Sequence, residues 1–294
     1  MVSSLSKTRM PTVSVITPTL DCAEHLARCL ASVCAQEGVE TEIIVVDESS
    51  TDGTPELAKA AGARVLRRPR PRVYTPPTAA RNLGARHARG EYLLHLDADM
   101  ELSPGLLAAC VERCSSEGHV ALVLHEVDVV FGFWGECKAL ERRCYNGADW
   151  VEGARFVRAE VFRAVGGYDE SLGSGEDWDV HRRYVRAGSV GDVAKPVFHH
   201  VGQLRPVSHL RKKFAYGRSA TRFLQKRETA PIPAAMLRSY WRSRALVRAQ
   251  PLHAAGFLLL RGAETAAMLA GIGVEALAAA ARRAHAAGCP GPRP

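Results

Sequence analysis

Residues 90–99 read Gly90-Glu91-Tyr92-Leu93-Leu94-His95-Leu96-Asp97-Ala98-Asp99, an apolar run of strand length that ends in two carboxylates. Directly before it, Ala79 to Arg89 has helical spacing and closes on Gly90, the residue that most readily takes a helix C-terminus. Upstream the alternation repeats. Val65-Leu66 is a weak strand, and Pro55 opens a helix at a first helical position. Glu42 to Val46 is a β-branched run that ends in the turn-rich Asp47-Glu48-Ser49-Ser50-Thr51-Asp52-Gly53. Glu24 to Gln36 carries Leu26, Leu30 and Val33 at helical spacing behind Asp21, a candidate N-cap. Val13 to Thr17 is a short buried strand ended by Pro18. This alternation predicts an α/β fold, a Rossmann-like, mostly parallel sheet flanked by helices on both faces. Ligands of such sheets bind beyond the carboxyl ends of the strands, where Asp47 and the Asp97/Asp99 pair fall.

Past residue 100 the pattern is weaker. Val120 to Val130 reads as one or two strands, Val157 to Ala164 as a short helix before Gly166-Gly167, and Asp177 to Arg186 as a helix. Beyond Pro206 only helical spacing recurs. The expected organisation is a flexible tail over 1–10, one α/β domain over 11–205, and a basic helical region over 206–294, with no internal repeat.

The chain has 294 residues, 47% of them hydrophobic, which excludes disorder, and a net charge of +8. A basic protein invites a nucleic-acid reading, but the charge is not spread evenly. Residues 205–248 hold twelve lysines and arginines against one acid, Glu228, a net +11, so the rest of the chain is slightly acidic. Eight cysteines fall without any C-x-x-C pair, which argues against a zinc ribbon or a thioredoxin-like site and for small apolar residues in reduced helices. Met1 to Met10 is short, polar and basic rather than a secretory leader, so a reducing cytoplasm is expected. The most apolar stretch, Leu252 to Ala281, is broken by Arg261, Glu264 and Glu275, so no membrane-crossing helix is expected.

Asp97 and Asp99 are two residues apart, so in extended chain both side chains face one site. Like charges that close repel unless a cation lies between them. A hard divalent ion, Mn²⁺ or Mg²⁺, suits such a pair, with water and phosphate oxygens filling its other positions. The alternative is a helix start, with Asp99 or Ser103 capping the helix that follows Pro104.

Further segments stand in a fixed order around this pair. They are Val13 to Thr19, Ile43 to Thr54, Ala80-Arg81-Asn82-Leu83-Gly84, Gly90 to Asp99, Gly166-Gly167-Tyr168-Asp169-Glu170 and Gly175-Glu176-Asp177-Trp178-Asp179. Over residues 12–200 this set resembles the inverting glycosyltransferases of family 2, whose catalytic domain has the GT-A fold. The resemblance implies a nucleotide-sugar donor, an acceptor hydroxyl and a divalent metal, Mn²⁺ or Mg²⁺. It implies that Pro18, Asp47, Glu48 and Arg81 line the donor pocket, with Asp47 on the nucleotide base. A carboxylate there suits the N3–H of uracil, favouring a UDP-sugar. The family usually has Asp-Asp-Gly-Ser where this chain has Asp47-Glu48-Ser49-Ser50. Asp99, and Asp97 less directly, would hold the metal on the donor diphosphate. Asp177 of the Glu176-Asp177 pair would be the general base, although adjacent acids also favour a helix N-terminus. A histidine of Val197-Phe198-His199-His200-Val201 would complete the metal site, His200 in preference to His199, and a purely structural histidine is the alternative. Trp178 would stack on a sugar face or sit in the core.

Two other readings compete. A sugar-1-phosphate nucleotidyltransferase needs a glycine-rich, basic loop after the first strand, where this chain has Thr17-Pro18-Thr19-Leu20-Asp21. A non-catalytic module that binds nucleotide sugars or membrane surfaces would not need Asp97, Asp99 and Asp177 together. The basic segment interleaves cations with Phe214, Tyr216, Phe223, Tyr240 and Trp241 but carries no nucleic-acid motif. Donor diphosphate and an anionic membrane surface are the partners expected for it, with a solvated helical face as the alternative. On a helical wheel Glu264, Glu275 and Arg282 align in one stripe with Arg261 beside it, amid Ala, Leu, Met and Ile. Such a helix lies at a membrane interface, on a partner or on its own domain. Gly271 and Gly273 should weaken it.

Overall fold

A computed structural model describes residues 10–71, 76–145, 152–220 and 232–287. Residues 1–9 of the expected tail, Cys289, and the basic-segment residues Arg222, Phe223, Lys226, Arg227 and Glu228 lie outside these, as does the side chain of Arg282.

Alternating side chains of the first strand, β1 (Thr12–Thr19), feed two separate cores. Val13 and Val15 pack with Cys29 and Val33 of α1 (Ala23–Cys34) and with Leu106, Leu107, Cys110 and Cys114 of α4 (Leu106–Glu117). Ile16 points the other way, onto Ala80 and Ala85 of α3 (Thr78–His87), Phe162 of α6 (Ala159–Ala164) and Tyr184 of α7 (Glu176–Ala187). β2 (Glu40–Asp47) pairs parallel with β1 and with β3 (Arg64–Arg67), and α2 (Thr54–Ala60) crosses between them. On the other side of β1 lies β4 (Tyr92–His95), also parallel.

The second half departs from the simple alternation. β6 (Ala121–Phe131) is one strand of 11 residues, and its parallel neighbour β8 (Val190–Gln203) has 14. Between β4 and β6 is β7 (Phe156–Arg158), antiparallel to both, and β5 (Met100–Leu102) closes the edge antiparallel to β8. The sheet has eight strands in the order β3-β2-β1-β4-β7-β6-β8-β5. Val157, expected to start a helix, instead lies in β7 with Phe156 and Arg158, and the helix begins at Ala159. Asp21 does not cap α1: Asp52 accepts from the Ala23 amide at 3.0 Å and from the Thr54 amide at 3.1 Å, so it serves the first turns of α1 and α2 together.

α5 (Gly132–Arg143) follows β6, and among the described residues four helices follow β8: α8 (Pro206–Ser219), α9 (Ile232–Arg242), α10 (Arg244–Ala249) and α11 (Pro251–Ala287). α11 crosses α8 so closely that a Cβ on Gly217 would lie 2.1 Å from the Met268 carbonyl, and one on Gly271 2.2 Å from that of Phe214. Gly271, a weak residue for an isolated helix, is what permits this crossing. By length and composition alone Pro251–Ala281 of α11, with a mean hydropathy of 1.4, is long and apolar enough to cross a membrane, although Arg261, Glu264 and Glu275 fall within it. The seven cysteines among the described residues are free thiols.

Candidate active site

The carboxyl ends of β1, β2 and β4 converge on one edge of the sheet. Asp47 ends β2 in register with Thr19, fully buried; Oδ1 accepts from the Thr19 hydroxyl at 3.3 Å and Oδ2 from the Ser50 amide at 3.2 Å. Pro18, half-buried, pairs with Val46 one residue earlier. Glu48 is buried beside Arg68 at 2.5 Å; burial raises its pKa while the guanidinium opposes that shift. Ser49 occupies the left-handed region at φ 63°, the conformation the family's glycine would take freely, and its hydroxyl donates to the Arg68 carbonyl at 2.8 Å. Asp21, from the loop after β1, accepts from the Thr51 amide at 2.8 Å and pairs with Arg70. The loops after β1 and β2 are thereby tied together.

Asp97 lies two residues beyond β4 and faces two guanidinium groups. Arg81 of α3 donates from Nη2 to Oδ1 at 2.7 Å, and Arg155 donates from Nη1 to Oδ2 at 3.1 Å. Burial alone would raise the pKa of Asp97, but Arg81 and Arg155 outweigh it and hold the carboxyl well below the usual range. Arg81 is 3% exposed and reaches the other way as well, donating from Nη1 to Asp177 Oδ1 at 3.0 Å. Burial opposes its charge, yet the two carboxylates keep it firmly protonated. The Tyr168 ring lies 5.3 Å from the same guanidinium. One buried arginine therefore spans from the acid after β4 to an acid in the first turn of α7. Next to Asp177, Glu176 is pushed up to about 7, by burial first and then by its neighbour's charge. Gly153 lets the chain pass close by, since a Cβ there would lie 2.9 Å from the Asp177 carbonyl. Trp178 is half-buried in the same turn.

Asp99 points to β8. Met100 pairs with His199 and the His200 amide donates to the Asp99 carbonyl at 2.8 Å, so it is the placement of the side chains that decides which of the two histidines meets the Asp99 carboxylate. That one is His199, with Nε2 3.3 Å from Asp99 Oδ2. His200, the histidine preferred from sequence, instead has its Nε2 2.7 Å from Glu101. Asp128 of β6 is directly opposite His199 in the sheet, with Oδ1 3.4 Å from His199 Nδ1. Arg142 Nε in turn donates to Asp128 Oδ2 at 2.9 Å. Burial works against a charged imidazole, but Asp128 and Asp99 lift His199 to about 10.

No group of three or more histidine, cysteine or acidic side chains is arranged around a common metal position among the described residues. The donor set still fits a hard divalent ion in a specific, incomplete way. Asp99 and His199 offer a carboxylate and an imidazole on one side, with a carboxylate behind the imidazole as ligating histidines commonly have. Such ions accept their remaining ligands from water and phosphate. Asp97 fits less well, because both its oxygens are engaged by arginines.

Arg155, Glu126, Asp128 and Arg142 were not anticipated from sequence. Arg155 joins Asp97 to Glu126, donating from Nε to the Glu126 carboxylate at 2.9 Å, and Arg142 joins Glu126 to Asp128. The signal was present in Leu124-His125-Glu126-Val127-Asp128, where two acids alternate within an otherwise apolar strand.

The family model of Glycosyl transferase family 2 matches residues 14–165, just over half of the chain and the part that carries β1 through β7. The chain belongs to glycosyltransferase family 2. Among its relatives, the succinoglycan biosynthesis protein ExoO of Rhizobium meliloti (strain 1021) is 34% identical over 42% of this chain and 35% of its own. The succinoglycan biosynthesis protein ExoA of the same organism is 25% identical over 74% of this chain and 71% of its own. The chain therefore spans about a third of the first relative's length and most of the second's. Of solved structures, the mannosyltransferase PcManGT from Pyrobaculum calidifontis, in complex with GDP-Man and Mn²⁺, aligns with a TM-score of 0.56. That likeness, at 19% identity over 93% of this chain and 81% of the other, shows the GT-A fold of this family 2 domain.

Proposed function

We propose that this family 2 chain is an inverting glycosyltransferase that moves a sugar from a nucleotide-sugar donor, a UDP-sugar in preference, to an acceptor hydroxyl. The observation that carries the reading is the Arg81 bridge. It brings a strand-end acid and a helix-start acid into one group, with open carboxylate surface on Asp177, whose side chain is 40% exposed. Asp177 is the general base. Arg81 holds Oδ1, and Oδ2 takes the proton from the acceptor hydroxyl as that oxygen attacks the anomeric carbon from the face opposite the leaving nucleotide. Asp47, fixed by Thr19 and Ser50, receives the base, and Pro18 and Glu48 line the same end of the sheet.

Asp99 and His199 would hold Mn²⁺ or Mg²⁺, with Asp97 as the anchor of Arg81 and Arg155 rather than as a direct ligand. The bound ion would supply compensation for the charge that develops on the leaving diphosphate. The names of ExoO and ExoA assign them to succinoglycan biosynthesis, and PcManGT is in complex with GDP-Man and Mn²⁺. These support a nucleotide-sugar donor and a glycan or other hydroxyl acceptor, and we assign the reaction to the cytoplasmic side, where nucleotide sugars are available.

The test is a thermal-shift titration with UDP-, GDP- and dTDP-sugars and Mn²⁺, because a bound donor raises stability by mass action. A shift of several degrees with UDP-sugars that needs Mn²⁺ and vanishes in Asp99→Ala is the expected result. No shift with any donor would overturn the reading.

A further inference from the structure

α11 is turned inside out. Its charged residues as far as Glu275 face inward: Glu264 is fully buried between Lys138 of α5 at 2.8 Å and His209 of α8 at 2.6 Å, and Arg261 pairs with Glu141. Glu275 faces Arg218 of α8 at 3.2 Å. Its apolar residues face outward. Leu252, Leu258, Leu259, Leu269, Val274 and Leu277 are 45–77% exposed. Every exposed position from Leu252 to Ala281 is Leu, Val, Ala, Gly or Thr265, whose hydroxyl is spent on the Arg261 carbonyl at 2.9 Å. The helix thus presents an uncharged outer face roughly 45 Å long. An apolar surface of that extent on a folded protein marks an interaction site.

The charge beside this face identifies what covers it. Arg238 and Arg242 of α9 and Arg244 and Arg248 of α10 are all exposed, and the described residues between 205 and 263 contain no acid. Trp241 is 72% exposed beneath Arg244, whose guanidinium lies 5.5 Å from its ring. A hollow of about 320 Å³ lined by Trp241, Val247, Phe257 and Leu258, with Arg244 and Arg248 on the same wall, joins the cations to the apolar face. Arginine, tryptophan and an uncharged helix side by side match a bilayer interface, where head groups meet acyl chains. A second copy would set this cationic surface against itself, whereas an anionic bilayer brings the opposite charge.

We propose that the outer face of α11, with the arginines of α9 and α10, docks on an anionic lipid bilayer and lies in its surface. Crossing the bilayer would withdraw Glu264 from Lys138 and His209 and Arg261 from Glu141 into hydrocarbon, at a cost that lying flat avoids. The proposal is independent of the catalytic reading.

Co-sedimentation of the full chain tests it, with vesicles of phosphatidylcholine alone and with about a third phosphatidylglycerol. Partition onto the anionic vesicles should be at least about tenfold stronger and should weaken in roughly 0.5 M salt. Leu259→Glu/Leu277→Glu should abolish binding, and Arg244→Gln/Arg248→Gln should remove the anionic preference. Unchanged circular dichroism and melting temperature would show that each outward-facing variant is folded. Failure to bind anionic vesicles, binding indifferent to the leucine variant, or a dimer in light scattering that Leu259→Glu/Leu277→Glu dissolves would each overturn the proposal. So would attachment that survives alkaline extraction, the mark of a helix that crosses.

Discussion

Asp97→Asn separates an ion-pair anchor from a metal ligand. In the native protein one carboxylate serves two cations, Arg81 at 2.7 Å and Arg155 at 3.1 Å, which are 3% and 16% exposed on their side chains. An amide in its place is neutral and turns an N–H₂ group toward one of the two guanidiniums. Removing one partner of a buried pair costs about 3–5 kcal/mol, because the other charge is left uncompensated. Asp97 is itself 28% exposed, which favours the lower end, about 3 kcal/mol. The pH dependence has a definite sign. The folded pKa of Asp97 is depressed, so its contribution is present above the unfolded value of 3.8 and is lost as pH falls toward the folded one. Urea denaturation of wild type and Asp97→Asn should therefore differ by about 3 kcal/mol at pH 7 and progressively less below about pH 4. Removing one cation should restore part of the loss, so that Asp97→Asn/Arg155→Met falls short of the sum of the single effects by at least about 1 kcal/mol. A loss under about 1 kcal/mol at pH 7, or strictly additive effects, would refute the anchoring role.

Glu176→Gln should stabilise the protein at alkaline pH. Its folded pKa is raised from 4.5 to about 7, so the penalty grows as pH rises through that interval, and at pH 8 it reaches at most about 3 kcal/mol. Melting temperatures should diverge from pH 5 to pH 8, and parallel curves would contradict the burial of this carboxyl. For the metal, titration calorimetry with Mn²⁺ in the presence of nucleotide should show His199→Ala weakened more than tenfold and His200→Ala within about twofold of wild type. Asp128→Asn, which leaves both first donors in place, should weaken Mn²⁺ about 10–100-fold while metal-free nucleotide binding stays unchanged. Equal losses in the two histidine variants would contradict His199 as the histidine of the metal site.

The first half of the fold was legible because its strands are β-branched, its helices amphipathic, and its acids sit at strand ends where sequence order and topology agree. β7 was not, because Phe156 and Val157 lie in a three-residue strand whose apolar side chains look the same as a helix start. The polar residues of β6 concealed a strand face that is buried through charge pairing, Glu126 and Asp128 with Arg142 and Arg155, rather than through hydrocarbon. The choice between His199 and His200 depends on how the Asp99 side chain leaves the turn before β5 to meet β8, which one strand alone does not reveal. Glu264 and Glu275 were correctly placed on one stripe of α11, but a wheel does not say which side is inward. Here α5 and α8 supply Lys138, His209 and Arg218 to that stripe, and the apolar side is left facing out.

Asp177→Asn measures the central claim most directly. With the donor nucleotide that stabilises the wild type in hand, nucleotide release is followed against a panel of hydroxyl acceptors, and donor affinity is measured on the same preparation. The account predicts donor binding within about twofold of wild type and transfer reduced at least about 10²-fold, the contribution expected of a positioned general base. Full turnover by Asp177→Asn would contradict it.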